Sequence, residues 1–162
     1  WDIQEAGQAL LAAEGYAQYE VSAYAKAGKQ ARHNLNYWTF GDFLGIGAGA
    51  HAKLSTPAGR IQRTWKTRLP KDYLDPAKAF QAGERLLAAD ELPFEFLMNV
   101  LRLSEGVPAE LFSQRTGLPL QQLERSRREA ERQGLLQADQ ARLVATAKGQ
   151  LFLNDLLQQF LA

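Results

Sequence analysis

Two histidines, a Tyr-Trp pair and an alternating glycine run fall inside one stretch, His33 to His51, with the sequence HNLNYWTFGDFLGIGAGAH. These residue types suit a flat, apolar ligand with a metal centre, because imidazole is a common metal ligand and the neighbouring rings offer flat apolar contact. Gly45, Ile46, Gly47, Ala48 and Gly49 form a segment whose backbone can approach a cofactor where larger side chains would block it. Plainer readings stand beside these. An isolated histidine is often just a hydrogen-bonded residue, and glycine spacing serves a bulge or tight turn as readily as a cofactor. No HExxH pair, Walker loop or supported Ser-His-Asp order occurs, and two histidines far from paired acids make a poor zinc set.

Charge is laid out unevenly around this stretch. The formal net charge is only +1, yet residues 26–71 hold nine lysines and arginines against the single acid Asp42. From Glu91 onward eight bases face nine acids. The basic excess therefore coincides with the histidine and glycine segment, where it would serve a ligand carrying carboxylates. A solvated surface of hairpin and loop is the alternative.

Elements must position these groups. Asp2 with Glu5 resembles a capping box, and the spacing of Ile3, Ala6, Leu10 and Leu11 predicts a helix over 2–14, stopped by Gly15. Alternation at Tyr19, Val21 and Ala23 predicts a strand, and helix followed by strand is the unit of an α/β barrel. Asn34 is expected to cap a short helical turn over 36–40, which brings His33 and Tyr37, four residues apart, near one face. Phe43 to Ile46 reads as a short buried strand running into the glycine turn. Lys53–Ser55 and Ile61–Thr67, joined by Thr56-Pro57-Ala58-Gly59, read as a β-hairpin, with Trp65 covering an apolar edge.

Asp75-Pro76 marks the expected division, residues 1–75 against 76–162. Beyond it a helix is expected over 77–89 with Phe80, Leu86 and Leu87 inward, then a nearly all-apolar helix opened by Pro93. A short helix from Pro108 to Arg115 and a longer one from Pro119 to Gln133 follow, the latter with Glu124–Arg128 and Arg127–Glu131 pairs. Two short strands, 135–138 and 142–145, precede a last helix capped by Thr146, whose stripe is Leu153, Leu156, Leu157, Phe160 and Leu161. Helix, turn, helix and a two-stranded wing predict a winged-helix-like domain. That raises a nucleic-acid reader as one hypothesis, opposed by the acids interleaved with Arg125, Arg127, Arg128 and Arg132.

The HNxxYW signature (His33, Asn34, Tyr37, Trp38), joined to FGDFLGIGAGAHAKL (40–54), resembles the radical S-adenosylmethionine proteins related to oxygen-independent coproporphyrinogen III oxidase. The heme-chaperone branch is the nearer one. YEVSAY (19–24), PFEFLMNVLRL (93–103) and GQLFLNDLLQQFL (149–161) extend the likeness over nearly the whole chain. The resemblance implies an α/β plus mostly α fold: the C-terminal remnant of an incomplete (β/α) TIM-type barrel followed by the winged-helix-like domain. It implies heme bound by His33, Asn34, Tyr37 and Trp38, with His33 at the iron, basic neighbours at the propionates and His51 a secondary candidate. Backbone near Gly45, Ile46, Gly47, Ala48 and Gly49 would lie on the S-adenosylmethionine side.

The family holds a 4Fe-4S cluster on a CxxxCxxC loop, whereas this chain has no cysteine and cannot ligate one. The chain is therefore expected to be a C-terminal fragment whose parent supplies the cluster. The implied function is heme binding and delivery to acceptor proteins, membrane-associated ones among them, by a cytoplasmic parent able to dimerise. The runner-up is a coproporphyrinogen-oxidising enzyme of porphyrin biosynthesis. The composition is that of an ordinary globular chain, and its apolar runs are too short to cross a bilayer.

Overall fold

The apolar repeat at the start forms helix α1 (Asp2–Ala13) in the computed structural model, which describes residues 2–161. Gly15 ends the turn after it at φ 79°, a conformation glycine reaches without a Cβ clash. No residue of α1 is buried, and Ile3 is 91% and Leu10 67% exposed.

Residues 19–23 do not form one strand. The Glu20 carboxylate accepts hydrogen bonds from the Ser22 N–H (2.9 Å) and hydroxyl (3.0 Å), which bends the chain at Val21-Ser22. Strands β1 (Ala17–Glu20) and β2 (Ala23–Ala25) pair antiparallel on either side.

Helix α2 (Arg32–Trp38) begins before the expected start, at an Ala31 cap with no side-chain hydrogen bond, so Asn34 lies inside the helix instead of capping it. Phe40 turns the chain away at φ 57°, costly for a bulky residue, and Gly41 follows where a Cβ would overlap Asn36. The expected buried strand over 43–46 reduces to a single bridge between Phe43 and Lys53. Leu44 and Ile46 beside it are 71% and 85% exposed.

Strands β3 (His51–Ser55) and β4 (Ile61–Lys66) form the expected hairpin, closed where the Thr56 N–H donates to the Arg60 carbonyl at 2.7 Å. After the one-turn helix α3 (Pro70–Tyr73), residues expected as a helix over 77–89 instead form β5 (Gln81–Leu86), the third strand of this sheet. The reason is tertiary. Gly83 lies under the Trp65 indole where a Cβ would overlap the ring, and the Leu87 N–H carries the ladder on to the Ile61 carbonyl at 2.8 Å. Phe80 and Leu86, assigned inward by helical spacing, are exposed, and Leu87 alone of the three is buried. The sheet draws residues from both sides of the expected 75/76 division. All strand pairs are antiparallel, so a parallel barrel wall is not built among the described residues.

Pro93 sits in the first turn of α4 (Leu92–Val100), whose Phe96, Leu97 and Val100 are fully buried. Pro108 does not open a helix; it lies in β6 (Val107–Pro108), paired with β7 (Arg142–Leu143), and α5 (Leu111–Thr116) starts later. Gly117 turns the chain at φ 73° into a 3-10 turn (Leu120–Leu123) and then α6 (Glu124–Arg132). Both expected four-residue ion pairs form, Arg128–Glu124 at 2.6 Å and Arg127–Glu131 at 2.9 Å. The expected pair of four-residue strands shrinks to β7 and a Leu136–Ala145 bridge.

Thr146 Oγ1 caps α7 (Ala147–Leu151) by accepting from the Gly149 N–H at 3.0 Å. Phe152, at φ −111° and ψ 46°, separates α7 from α8 (Leu153–Gln158). Leu156, Leu157 and Phe160 are buried as expected, while Leu161 is exposed. One core joins the parts: Phe40 meets Phe96 edge-on at 5.5 Å, and Phe96 meets Phe112 at 5.4 Å.

Candidate functional site

Helix α2 offers two different faces. His33 and Tyr37 stack edge to face at 4.5 Å, and Tyr37 meets Phe43 in the same way at 4.4 Å, giving a row of three rings. His33 at the end of this row is exposed, and its ring nitrogens make no hydrogen bond among the described residues. The Asn36 side chain donates to the Asp42 carbonyl at 2.8 Å and so ties the helix to the segment carrying Phe43. Phe43 is the ring of this row that spacing arguments missed, since the chain reverses between it and Tyr37; its aromatic type within the same stretch was the available signal.

The other face of α2 is internal. Leu35 and Trp38 pack against the core, and Trp38 stands about 100° around the helix from Tyr37 at 3.6 residues per turn. The Arg102 guanidinium lies 4.6 Å from the centre of the Trp38 ring. Trp38 is thus separated from the His33–Tyr37 space, and Asn34 is half-buried between the faces. A cleft of about 330 Å³ between β1, α2 and the turn after α4 takes Leu35 from this helix, with Tyr19, Gln30, Leu103 and Glu105.

In the glycine segment, a Cβ at Gly45 would overlap the His51 backbone, and Gly47 and Gly49 take φ of 107° and 71°. The Gly49 N–H donates to the Thr67 carbonyl at 2.9 Å and the Gly47 N–H to the Tyr73 phenol at 3.2 Å. Two loop amides are therefore engaged internally, whereas Ile46 and Ala48 face outward. His51 is exposed on β3 opposite Trp65, and no ring contact joins it to His33 among the described residues.

Part of the basic excess is structural. Lys53 is buried, donates to Asp42 at 2.8 Å and lies 4.3 Å from the Phe40 ring centre. Burial pushes its ammonium below the usual lysine range, with Asp42 opposing that shift. Asp42 also accepts from the Ser55 N–H (2.8 Å) and hydroxyl (3.0 Å). Burial alone would raise its carboxyl, but the donors from Lys53 and Ser55 outweigh it and hold the group below the usual carboxylate value. Arg63 pairs with Glu95 at 2.6 Å. Lys29, Arg32, Arg60, Arg68 and Lys71 have no ion pair among the described residues and stand free for an anion, Arg32 next to His33.

On α6, Arg127 is buried, bonded to Glu131 and to the Asp139 carbonyl, and Arg128 and Arg132 pair with Glu124 and Glu129. Glu129 is held at about 2 by Arg132 and then Gln133. Among the described residues of that helix only Arg125 is left unpaired for a phosphate, a thin basis for nucleic-acid binding.

The residues present fit one implied group and not another. An exposed imidazole backed by rings fits a nitrogen ligand to a heme iron, whereas a chain without cysteine cannot supply the thiolates of an iron-sulfur cluster. No helix among the described residues is long and apolar enough to cross a membrane.

The HemN C-terminal domain family matches residues 87–152. The chain is 48% identical over its whole length to "Heme chaperone HemW" of Escherichia coli, and 47% identical over 99% of its length to the protein of that name from Haemophilus influenzae. It spans 42% of the length of each. In fold it is similar to a solved structure described as "Coproporphyrinogen III oxidase (HemN) from Escherichia coli is a Radical SAM enzyme", with a TM-score of 0.68 and 16% identity. That likeness covers 98% of this chain and 40% of the other. Residues 87–152 thus match the HemN C-terminal domain family, and over its whole length the chain is similar to proteins named heme chaperone HemW.

Proposed function

We propose that this chain is the C-terminal portion of a heme chaperone-like radical S-adenosylmethionine protein, and that α2 contacts the heme it carries. The observation that supports this is the exposed His33 imidazole at the end of an edge-to-face row with Tyr37 and Phe43. The heme, when bound, would supply an iron with a coordination position for a nitrogen ligand. His33 would occupy it, Tyr37 would orient the imidazole and, with Phe43, cover the macrocycle's apolar edge, and Arg32 or Lys29 would meet propionates by charge-assisted hydrogen bonds.

Asn34 keeps a supporting place in the signature, and Trp38 acts from the core side. Gly45, Ile46, Gly47, Ala48 and Gly49 would form the segment on the S-adenosylmethionine side, with the 4Fe-4S cluster held by cysteines that this chain lacks. His51 is the secondary iron candidate. The helices α4 to α6 with β6–β7 act as a winged-helix-like module packed on the site-bearing part, and the complete cytoplasmic protein passes heme to acceptor proteins.

Titrating hemin into the complete protein, with its cluster reconstituted, tests this reading. Saturable binding with a shifted Soret band is the expected result. Oxidative decarboxylation of coproporphyrinogen III without retained heme would overturn it in favour of the oxidase.

A further inference from the structure

Arg102 joins three elements. Its Nε and Nη2 donate to Glu20 Oε1 at 2.6 and 2.5 Å, and the Glu20 side chain is only 2% exposed. The second Glu20 oxygen is taken by the Ser22 N–H and hydroxyl of the β1–β2 turn. The backbone locks the same pair: the Val21 N–H donates to the Arg102 carbonyl and the Ser104 N–H to the Tyr19 carbonyl, both at 3.1 Å. The guanidinium so fixed lies over the Trp38 ring, 4.6 Å from its centre, within the range of a cation–π contact.

Trp38 has no other polar anchor. Its Nε1–H is buried with no hydrogen-bond partner among the described residues, so stacking and apolar packing alone hold the indole. Helix α2 is seven residues long with no side-chain cap, too short to define its own rotation, which tertiary contacts must set. Leu35 and Trp38 supply those contacts on the core side, opposite the Asn36–Asp42 hydrogen bond and the Tyr37–Phe43 contact, and turning Trp38 turns His33 and Tyr37 with it.

We propose that Arg102, clamped by the buried Glu20 carboxylate, is a positioning residue that sets the rotation of α2 and with it the direction of His33. Its bearing on heme rests on the proposed function; the seating of the helix does not. The test is made in the complete protein, following the Trp38 indole N–H and His33 ring resonances by NMR, assigned with Trp38→Phe and His33→Gln, beside a hemin titration.

Arg102→Gln paired with Glu20→Gln avoids an unpartnered buried carboxylate and keeps the fold. In that double variant both resonances shift, the Trp65 indole signal stays, and hemin affinity falls about tenfold, equivalent to a tenfold rise in Kd. Arg102→Lys, which keeps a cation over the indole and one donor to Glu20, restores both signals toward their original positions. Unmoved His33 and Trp38 resonances in the folded double variant overturn the proposal. If the unaltered protein takes up no hemin, the proposed function falls while the resonances still decide the role of Arg102.

Discussion

His33 and Tyr37 meet because four residues make slightly more than one helical turn, a relation readable directly from HNLNYW. Trp38 in the same motif points elsewhere, and nothing local says so; its place is decided by Arg102, 64 positions downstream. The basic excess was legible as composition, but its division into free and internal charges was not. Lys53 and Asp42 show the consequence in a pH dependence. Asp42 titrates below its ordinary 3.8, so its contribution is complete above that pH and is lost as pH falls through the lower folded value. Thermal midpoints measured from pH 5 downward should therefore fall less steeply for Asp42→Asn than for the parent sequence. Lys53 is also lowered, from 10.5, so between its folded value and 10.5 the unfolded chain holds more protons and stability rises with pH. Lys53→Met should remove that alkaline gain in the same melts.

At the level of elements, helix starts marked by an acid, a proline or a threonine were legible: α1 and α4 lie close to their expected positions and α7 begins at the expected Thr146 cap, but the single last helix expected there is split at Phe152 into α7 and α8. The hairpin β3–β4 was legible from its Pro/Gly turn. β5 was not, because residues 77–89 carry helical spacing while the deciding feature is the fit of Gly83 under Trp65. Gly83→Ala should lower unfolding stability by about 1–3 kcal/mol, the usual cost of overpacking, read as a lower denaturant midpoint at unchanged slope. Gly149→Ala should act similarly, since its Cβ would overlap the Leu135 carbonyl under the cap of α7. A midpoint unmoved by Gly83→Ala would mean that the third strand does not depend on that fit.

Across the molecule, the expected division after residue 75 does not coincide with a break in packing. Phe40 and Ile61 from the first part share one core with Phe96, Phe112 and Leu156 from the second. Truncating Phe96 to alanine should therefore cost about 3–5 kcal/mol and lower a single cooperative transition, seen together in sheet and helix signals. Two separated transitions would instead support independent parts. The open faces of α1 and of the loop bearing Leu44 and Ile46 lie away from this core. The most direct test of α2 as the heme-contacting element is a hemin titration of the complete protein carrying either His33→Ala or His51→Ala. A heme contact through His33 should give a weakened and displaced Soret band in His33→Ala with near-parental binding in His51→Ala; equal binding by parent and His33→Ala would contradict that contact.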